Sequence, residues 1–286
     1  MPSTRDLRRR IRSVKGTQQI TKAMKMVAAS KLRRAQARIT QARPYADRLA
    51  RVLADVAART EHTHPLLEQP STERVWVVVI SSDKGLCGSF NANLLRAAER
   101  ELRGERWSDA EVVALGRKAS DYFRRRRWSI VHEERETMNS LQGDEGRRLG
   151  QQFMKEFTAG QVGEVWLCYN RFASLIRHEF TIQRLLPIEP PPADAADEAA
   201  VDFLYEPDAT TLLAELLPRH VETQIQRSLF DSAAAEQAAR MTAMDAATKN
   251  AKEMIDSLTM LYNRTRQAAI TKELIEIVSG AQALGD

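Results

Sequence analysis

The stretch with the clearest potential for chemistry is the turn at residues 81–91, which reads SSDKGLCGSFN. It follows an apolar β-branched run, Val75–Ile80, and precedes a helical pattern, a position where α/β proteins often bind phosphate. However, it lacks GxGxxG, and because Lys84 precedes Gly85 it also lacks the order of a P-loop. A tight joint between strand and helix explains the glycines more simply. We therefore expect no nucleotide cofactor at this turn.

Cysteine and histidine add little further chemistry. Cys87 stands near a predicted helix start, where a thiol can become a nucleophile, but the sequence places no histidine beside it. Cys87 and Cys168 have no CxxC or metal-ligand spacing, which is typical of ordinary thiols in a reducing compartment. We expect no catalytic residue and no metal site. The five histidines form no HExxH motif or ligand cluster: His62, His64, His132, His178 and His220.

The middle of the chain, residues 74–200, reads as a Rossmann-like α/β domain. Apolar strand patterns alternate with helical patterns, which favours a mostly parallel sheet. The predicted strands are Val75–Ile80, Glu111–Leu115, Trp128–Val131, Glu164–Tyr169 and Phe180–Leu186. The predicted helices are Asn91–Leu102, a helix or turn over Arg117–Arg127, and a helix that opens at Asp144 or Glu145 and ends at Gly160.

Both ends of the chain predict long helices, over residues 1–60 and 208–286. Seam residues recur in alternating steps of four and three, the spacing of a coiled coil. Two such helices flanking one domain would pair antiparallel. The fold class is therefore α/β plus long α, with the α/β domain inserted between the helices of one shaft. The predicted seam comprises Leu7, Ile11, Val14, Gln18, Thr21, Lys25, Ala28, Leu32, Ala35, Ile39, Ala42, Ala46, Leu49, Leu53 and Val56, opposite Met244, Thr248, Ala251, Ile255, Leu258, Tyr262, Thr265 and Ala269.

Prolines and polar seam residues qualify this prediction. We expect a bend or local unwinding near Pro44, and Pro218 either ends a short helix from Asp208 or lies in the first turn of the long one. Polar residues occupy seam positions where a stable two-stranded coil has Leu or Ile, at Gln18, Thr21 and Lys25. They could fix the register of the two helices, or other proteins could surround this stretch; the two interpretations carry equal weight.

Charge is distributed unevenly. Residues 1–60 hold 16 basic and three acidic residues, whereas the remainder holds 27 basic and 35 acidic ones. A helix this basic indicates an acidic partner, a nucleic acid or an anionic surface. The first 44 residues contain no aromatic residue for base stacking, which disfavours a specific nucleic-acid reader. No run of about 18 apolar residues predicts a membrane span, and no secretory signal opens the chain.

Three stretches together resemble the γ subunit family of the F-type ATP synthase, in its bacterial form. They are ITKAMKMVAASKLRRAQ at Ile20–Gln36, ISSDKGLCGSFN at Ile80–Asn91, and AAITKELIEIVSGAQAL at Ala268–Leu284. Their order and spacing agree over essentially the whole chain. The resemblance implies an antiparallel coiled coil with a Rossmann-like domain between its helices. No cysteine pair of the chloroplast type is present.

The resemblance also implies a function. The chain would be the central rotor shaft, turned by a ring of c subunits driven by proton or sodium flow. The shaft would change the nucleotide sites of the β subunits without being catalytic itself. Its partners would be the α and β subunits of the hexameric head, the ε subunit and the c ring. It would touch the membrane only through the Fo sector, as a peripheral protein on the cytoplasmic face of the bacterial inner membrane, with no nucleic acid and no cofactor.

Residues matching the family's motifs are the predicted sites. Lys22, Met24 and Lys25 would face the moving levers of the β subunits, within a basic collar that includes Lys31, Arg33 and Arg34. Arg266 and Gln267 would hydrogen-bond a loop of β. The end of the shaft, Ile277 to Leu284, would turn in an apolar sleeve. Tyr205, Glu206 and Asp208 would form the foot on the c ring, although Asp208 is also explained as a helix N-cap.

Overall fold

A computed structural model describes residues 3–59, 64–68, 70–107, 109–138, 141–189 and 209–283. The chain forms two compact units: residues 1–28 with 241–286, and residues 29–240. Both long helices contribute a segment to each unit. The secondary structure is α1 Thr4–Arg59, β1 Val75–Ile80, α2 Phe90–Leu102, β2 Ala110–Leu115, α3 Arg117–Arg125, β3 Ile130–Glu134, α4 Glu145–Thr158, β4 Glu164–Phe172, β5 His178–Leu186 and α5 Ala209–Ala283, with a 3-10 turn at Glu105–Trp107.

The unit of residues 29–240 is built on a five-stranded sheet in the order β3-β2-β1-β4-β5. Strands β3, β2, β1 and β4 are parallel, and β5 pairs antiparallel with β4 at the edge. This confirms the mostly parallel α/β domain with long terminal helices. The third strand was predicted two residues early, because Arg127 adopts a left-handed conformation with φ 61° and the strand begins only at Ile130.

The two faces of the sheet have separate apolar cores. On one face, Val78 and Ile80 pack with residues of α4, α5 and the end of α1. On the other, Val77 and Val79 pack with residues of α2 and α3. Alternate residues of β1 thus enter both cores, as expected for a parallel strand covered on both sides. The first core includes Leu53, Val56, Phe153, Phe157, Leu213, Leu217, Val221, Ile225 and Leu229, all almost inaccessible.

Helix α5 runs through Pro218, so both interpretations of that proline were wrong. The helix begins at Ala209 and continues to Ala283, with Pro218 in its interior. A proline there removes one backbone hydrogen bond and costs roughly 3 kcal/mol. Burial of the side chains on either side, Leu217 and Val221, stabilises the helix by about 1.5–3 kcal/mol each and offsets that cost. Helix α1 likewise continues across Pro44 without a stop.

Within residues 29–240 the two long helices run antiparallel. Leu32 of α1 packs with Ala234 and Ala238 of α5, whereas Leu53 shares a core with Leu213. Residue numbers therefore rise along one helix as they fall along the other. The predicted seam of α1 is confirmed here, because Leu32, Ala46, Leu49, Leu53 and Val56 are buried and Ala35, Ile39 and Ala42 are half-buried.

Candidate partner-binding surfaces

The turn after β1 is filled by its own side chains. The Asn91 side-chain oxygen accepts hydrogen bonds from the backbone N–H of Ser82 at 3.1 Å and from its hydroxyl at 3.0 Å. The Asn91 amide nitrogen contacts the Ser82 Oγ at 2.7 Å and donates to the Cys87 Sγ at 3.2 Å. These bonds hold the start of α2 against the end of β1. The turn is a tight joint between strand and helix, as the simpler interpretation predicted.

The start of α3 is also bonded to this turn. Ser81 Oγ accepts a hydrogen bond from the Ala119 N–H at 2.7 Å, and Asp83 accepts one from the Arg117 N–H at 3.2 Å. These amides at a helix N-terminus are the groups that would bind a phosphate. Gly116, at φ 94°, lies so close that an added Cβ would be 2.2 Å from the Ser81 carbonyl oxygen. Side chains of the turn therefore already accept hydrogen bonds from these amides at the start of α3.

The cysteines are inert thiols. Cys87 is only 2% exposed, and burial raises its pKa although the Arg240 charge acts in the opposite direction. Burial also raises the pKa of Cys168, which is fully enclosed in the sheet. A raised pKa keeps the thiol protonated, and the thiol is the poorer nucleophile. Within the described ranges, no three His, Cys, Asp or Glu side chains are grouped to hold a metal ion.

In the other unit, polar residues bond across the helix pair. The Thr248 Oγ1 lies 2.8 Å from the Thr21 Oγ1, and the Lys25 Nζ lies 2.6 Å from the Asp245 carboxylate. Four turns further on, Arg8 donates to the Tyr262 hydroxyl at 2.6 Å. Each pair joins α1 to α5 at an antiparallel register. Polar seam residues that bond each other support the interpretation that they fix this register.

The predicted seam of this unit is confirmed up to Thr265. On α1, Leu7, Thr21 and Ala28 are buried, and the remaining predicted positions are half-buried. On α5 the positions from Met244 to Thr265 are likewise buried or half-buried. Ala269 was predicted wrongly, because it is exposed. The facing helix α1 begins at Thr4, and its Arg8 already bonds Tyr262, so no described residue of α1 lies opposite Ala269.

Beyond Thr265, α5 is bare. Every side chain from Arg266 to Ser279 is exposed, and Ile277 is 67% accessible. Large apolar groups that no described residue covers, on the surface of a helix, indicate a site that another protein covers. Leu284 lies outside the described residues. The exposed apolar side chains of this segment are Ile270, Leu274, Ile275, Ile277 and Val278.

The remaining predicted contact residues have different environments. Lys22 is exposed and Met24 is half-buried. The Lys25 side chain keeps 43% of its surface accessible while paired with Asp245, a partner that sequence reasoning missed. Arg266 and Gln267 are exposed on the bare segment. The predicted foot, Tyr205, Glu206 and Asp208, lies outside the described residues.

Comparison with known proteins identifies the family. The family model described as ATP synthase matches residues 3–284. An ATP synthase gamma chain of Anaeromyxobacter sp. (strain Fw109-5) is 50% identical over 99% of this chain and 100% of its own length. One from Desulforudis audaxviator is 45% identical over 99% and 100%. The chain belongs to the ATP synthase gamma chain family.

Solved structures agree with this membership. A chain from the central stalk and c ring of the Tetrahymena thermophila mitochondrial ATP synthase has 26% identity and a TM-score of 0.57, covering 80% of this chain and 99% of its own. A chain of the Euglena gracilis mitochondrial enzyme has the same fold at 19% identity, with a TM-score of 0.69 over 98% and 94%.

Membership of the gamma chain family establishes the general function of the chain. This is a non-catalytic subunit of the rotary ATP synthase and belongs to its central stalk. The filled turn is consistent with that role, since the catalytic sites of the enzyme lie in the β subunits. None of the helices in the described part of the chain is both long enough and apolar enough to cross a membrane.

Proposed function

We propose that the chain is the rotating shaft that couples ion flow through a c ring to conformational change at the nucleotide sites of the β subunits. The observation that carries the proposal is the bare segment of α5, residues 266–279. Its large apolar side chains include Ile270, Leu274, Ile277 and Val278, the i, i+4, i+7, i+8 spacing of one apolar face, and all of them are exposed. A face of this kind needs cover from another protein. The α and β subunits around the shaft would provide that cover.

An apolar sleeve suits rotation because dispersion and hydrophobic contacts are non-directional. A side chain such as Ile277 can exchange one apolar neighbour for the next without breaking a hydrogen bond. Strong directional bonds along the whole segment would hold the shaft at one angle. We infer that residues 277–284 turn within such a sleeve.

Charged side chains nearer the other end of the unit suit a different contact. Lys22 is exposed and Met24 half-buried on α1, next to the Lys25–Asp245 pair. Exposed lysines attract acidic groups over about 8–10 Å in physiological salt, without a fixed geometry. We infer that Lys22, Met24 and the accessible part of Lys25 face the moving levers of the β subunits. Such contacts transmit force while allowing the surfaces to slide.

The remaining partners follow from the family. We propose that the unit of residues 29–240 joins the c ring and the ε subunit, with Tyr205, Glu206 and Asp208 at the c ring. The complex would then place this chain on the cytoplasmic face of a bacterial inner membrane, as a peripheral protein attached through Fo. Pull-down of tagged ε and c subunits by the assembled chain tests both contacts, and recovery of neither would contradict them.

The contact of Arg266 and Gln267 provides a direct test. Replacing both by alanine in the full complex should lower ATP hydrolysis by about tenfold or more, because each hydrogen bond to a buried partner contributes about 0.5–1.5 kcal/mol, and more when charged. Both side chains are exposed in the isolated chain, so its circular dichroism and melting temperature should not change.

A matched control is Arg125→Ala, which removes an exposed arginine from α3. The control complex should hydrolyse ATP like the unaltered one. Normal hydrolysis and synthesis by the Arg266→Ala, Gln267→Ala complex would contradict the assigned contact. Loss of helicity in the isolated double variant would instead show a role in folding.

A further inference from the structure

A charged side chain of α5 reaches into the turn that follows β1. The Arg240 Nη2 lies 3.1 Å from the Gly85 carbonyl oxygen and 3.5 Å from that of Lys84. The same nitrogen donates to the Glu236 carboxylate at 2.6 Å. The side chains of Arg240 and Glu236 are only 11% and 6% exposed. An ion pair on α5 is thus buried against backbone carbonyls of the α/β domain.

Burying this ion pair costs free energy of folding. Burial raises the pKa of Glu236 even though the adjacent Arg240 lowers it, and Asp83 adds a second negative charge nearby while Lys31 adds a positive one. A buried ion pair often stabilises a protein no more than apolar side chains of the same volume would. Stability alone therefore gives a weak reason for these residues. Their geometry gives a better one, because a guanidinium directs its hydrogen bonds in fixed directions.

Other hydrogen bonds also join the α/β domain to α5, including one from the Gln183 amide to the Gln224 side chain at 3.4 Å. Ser232 donates a hydrogen bond to the Ile80 carbonyl at 3.2 Å, and the Gly146 N–H of α4 donates to the Gln226 side chain at 2.8 Å. At Gly146 the helices are so close that an added Cβ would lie 2.5 Å from the Glu222 carbonyl oxygen. From Glu222 to Arg240 the contacts extend along about 27 Å of helix, at about 1.5 Å per residue.

Among these contacts, only that of Arg240 holds the domain through a long charged side chain. The Ser232 contact joins groups at or next to the backbone, and the Gly146 contact lies where two helices pack too closely for a Cβ. Arg240 instead connects one face of α5 to the carbonyl oxygens of residues 84 and 85, in the turn that joins β1 to α2. Hydrogen bonds already hold that turn to α2 and α3, so Arg240 joins α5 to a well-restrained part of the domain. Without Arg240, α5 could turn slightly against the domain while the rest of the interface stayed packed.

We propose that Arg240, oriented by Glu236, is a positioning residue that fixes the rotational angle between the α/β domain and helix α5, so that torque on the domain reaches the helix without loss. The inference rests on the proposed function, because torque passes here only if the chain rotates. Arg240 would act through Glu236 and the carbonyl oxygens of Lys84 and Gly85. Its removal should reduce the ions moved for each ATP hydrolysed rather than the rate of hydrolysis.

The experiment uses the full complex in membrane vesicles with four chains: unaltered, Arg240→Gln, Glu236→Gln with Arg240→Gln, and Arg125→Gln as an exposed control. ATP hydrolysis and ATP-driven ion pumping are measured on the same vesicles, and their ratio is the readout. The stability of each purified chain is measured by tryptophan fluorescence. All four tryptophans, at positions 76, 107, 128 and 166, lie within residues 29–240.

The double variant separates positioning from folding. Arg240→Gln leaves Glu236 buried without its partner and should lower stability, whereas the double variant removes that buried charge and should recover it. We expect the pumping ratio to fall by about two- to tenfold in both. A ratio restored in the double variant, or unchanged in both, would overturn the inference. Hydrolysis without pumping by the unaltered complex would instead contradict the proposed function.

Discussion

Two regions of helix α5 differ sharply in their surroundings. Between Leu213 and Ala238, a stripe of apolar and small side chains is fully buried against α1, α4 and the sheet. Between Arg266 and Ser279, every side chain is exposed. Both regions are made of good helix formers, so the difference lies in the packing partners and not in helix propensity.

The comparison shows that side chains of α5 are buried only where other elements of the same chain pack against them. The first region has a core that this chain supplies, and its apolar residues repeat every four positions, at Leu213, Leu217, Val221, Ile225 and Leu229. The second region also has an apolar face, with Ile270, Leu274, Ile277 and Val278 at i, i+4, i+7 and i+8, but no described residue packs against it. We conclude that the first region stabilises the subunit and the second serves the complex.

The largest expected difference between the two regions is in how far a substitution lowers the free energy of unfolding. Phe153→Ala removes a fully buried ring beside α5 and should lower the free energy of unfolding by about 3–5 kcal/mol. Ile277→Ala, its matched control on the bare segment, should change it by less than about 0.5 kcal/mol. Urea unfolding of the purified chain followed by circular dichroism measures both. Equal effects would contradict the division into two regions.

Glycines give a second contrast between close packing and open helix. Gly146→Ala forces a Cβ to 2.5 Å from the Glu222 carbonyl oxygen, which should destabilise residues 29–240 by about 1–3 kcal/mol. Gly16→Ala on α1 meets nothing within 4 Å and should stabilise its helix by about 1 kcal/mol. Tryptophan fluorescence reports the first and circular dichroism the second. Destabilisation by Gly16→Ala would indicate an unrecognised contact.

A carboxylate in the α/β domain predicts a pH dependence of the stability of residues 29–240. Burial alone would raise the pKa of Glu134, but hydrogen bonds from His132, Arg148 and Thr137 and the Arg148 charge lower it to about 2. Since the folded pKa is depressed, the stability it contributes is present above about pH 4.5 and is lost as the pH falls towards about 2.

The variant Glu134→Gln should therefore flatten the stability profile of residues 29–240 in that range. At neutral pH it should cost about 1–2 kcal/mol, reduced by partial solvent screening. Tryptophan-monitored unfolding at pH values from 2 to 7 provides the profile. Parallel profiles for the two proteins would contradict the assigned role of Glu134.

The polar seam should show the smallest effect. Replacing Thr21 or Thr248 alone by valine should cost less than about 1 kcal/mol, and replacing both should be nearly neutral, because the two hydroxyls are removed together. Thermal melting, followed by circular dichroism, is measured for the unaltered chain, the two single variants and the double variant, which together form a double-mutant cycle. A double variant destabilised by the sum of its singles or more would contradict a hydrogen bond between the two hydroxyls.

The sequence predicted these regions unequally. The four-three periodicity predicted both long helices and their seam, because packing on one face leaves a repeating signal. It failed at Ala269, since a pattern does not show where the facing helix stops. The prediction that a helix ends or begins at Pro218 was wrong, because the burial of Leu217 and Val221 outweighs the low helix propensity of proline.

Contacts between distant parts of the chain were not predictable. Glu236 and Arg240 can be read as an ion pair four residues apart, but the contact of Arg240 with Gly85 spans 155 residues and depends on the finished fold. The glycine turn could be recognised as a joint, yet its bonds to α3 and α5 could not. Partner surfaces such as Lys22 and Arg266 carry no signal of their own and came from the family resemblance.

Rotation of this chain is the most direct test of the account. Because Cys87 and Cys168 are buried, a cysteine introduced by Arg125→Cys can be labelled selectively with a bead while the α and β subunits are fixed to a surface. The account predicts continuous rotation of the bead in one direction while ATP is hydrolysed. A bead that only fluctuates about a single angle during steady hydrolysis would contradict it.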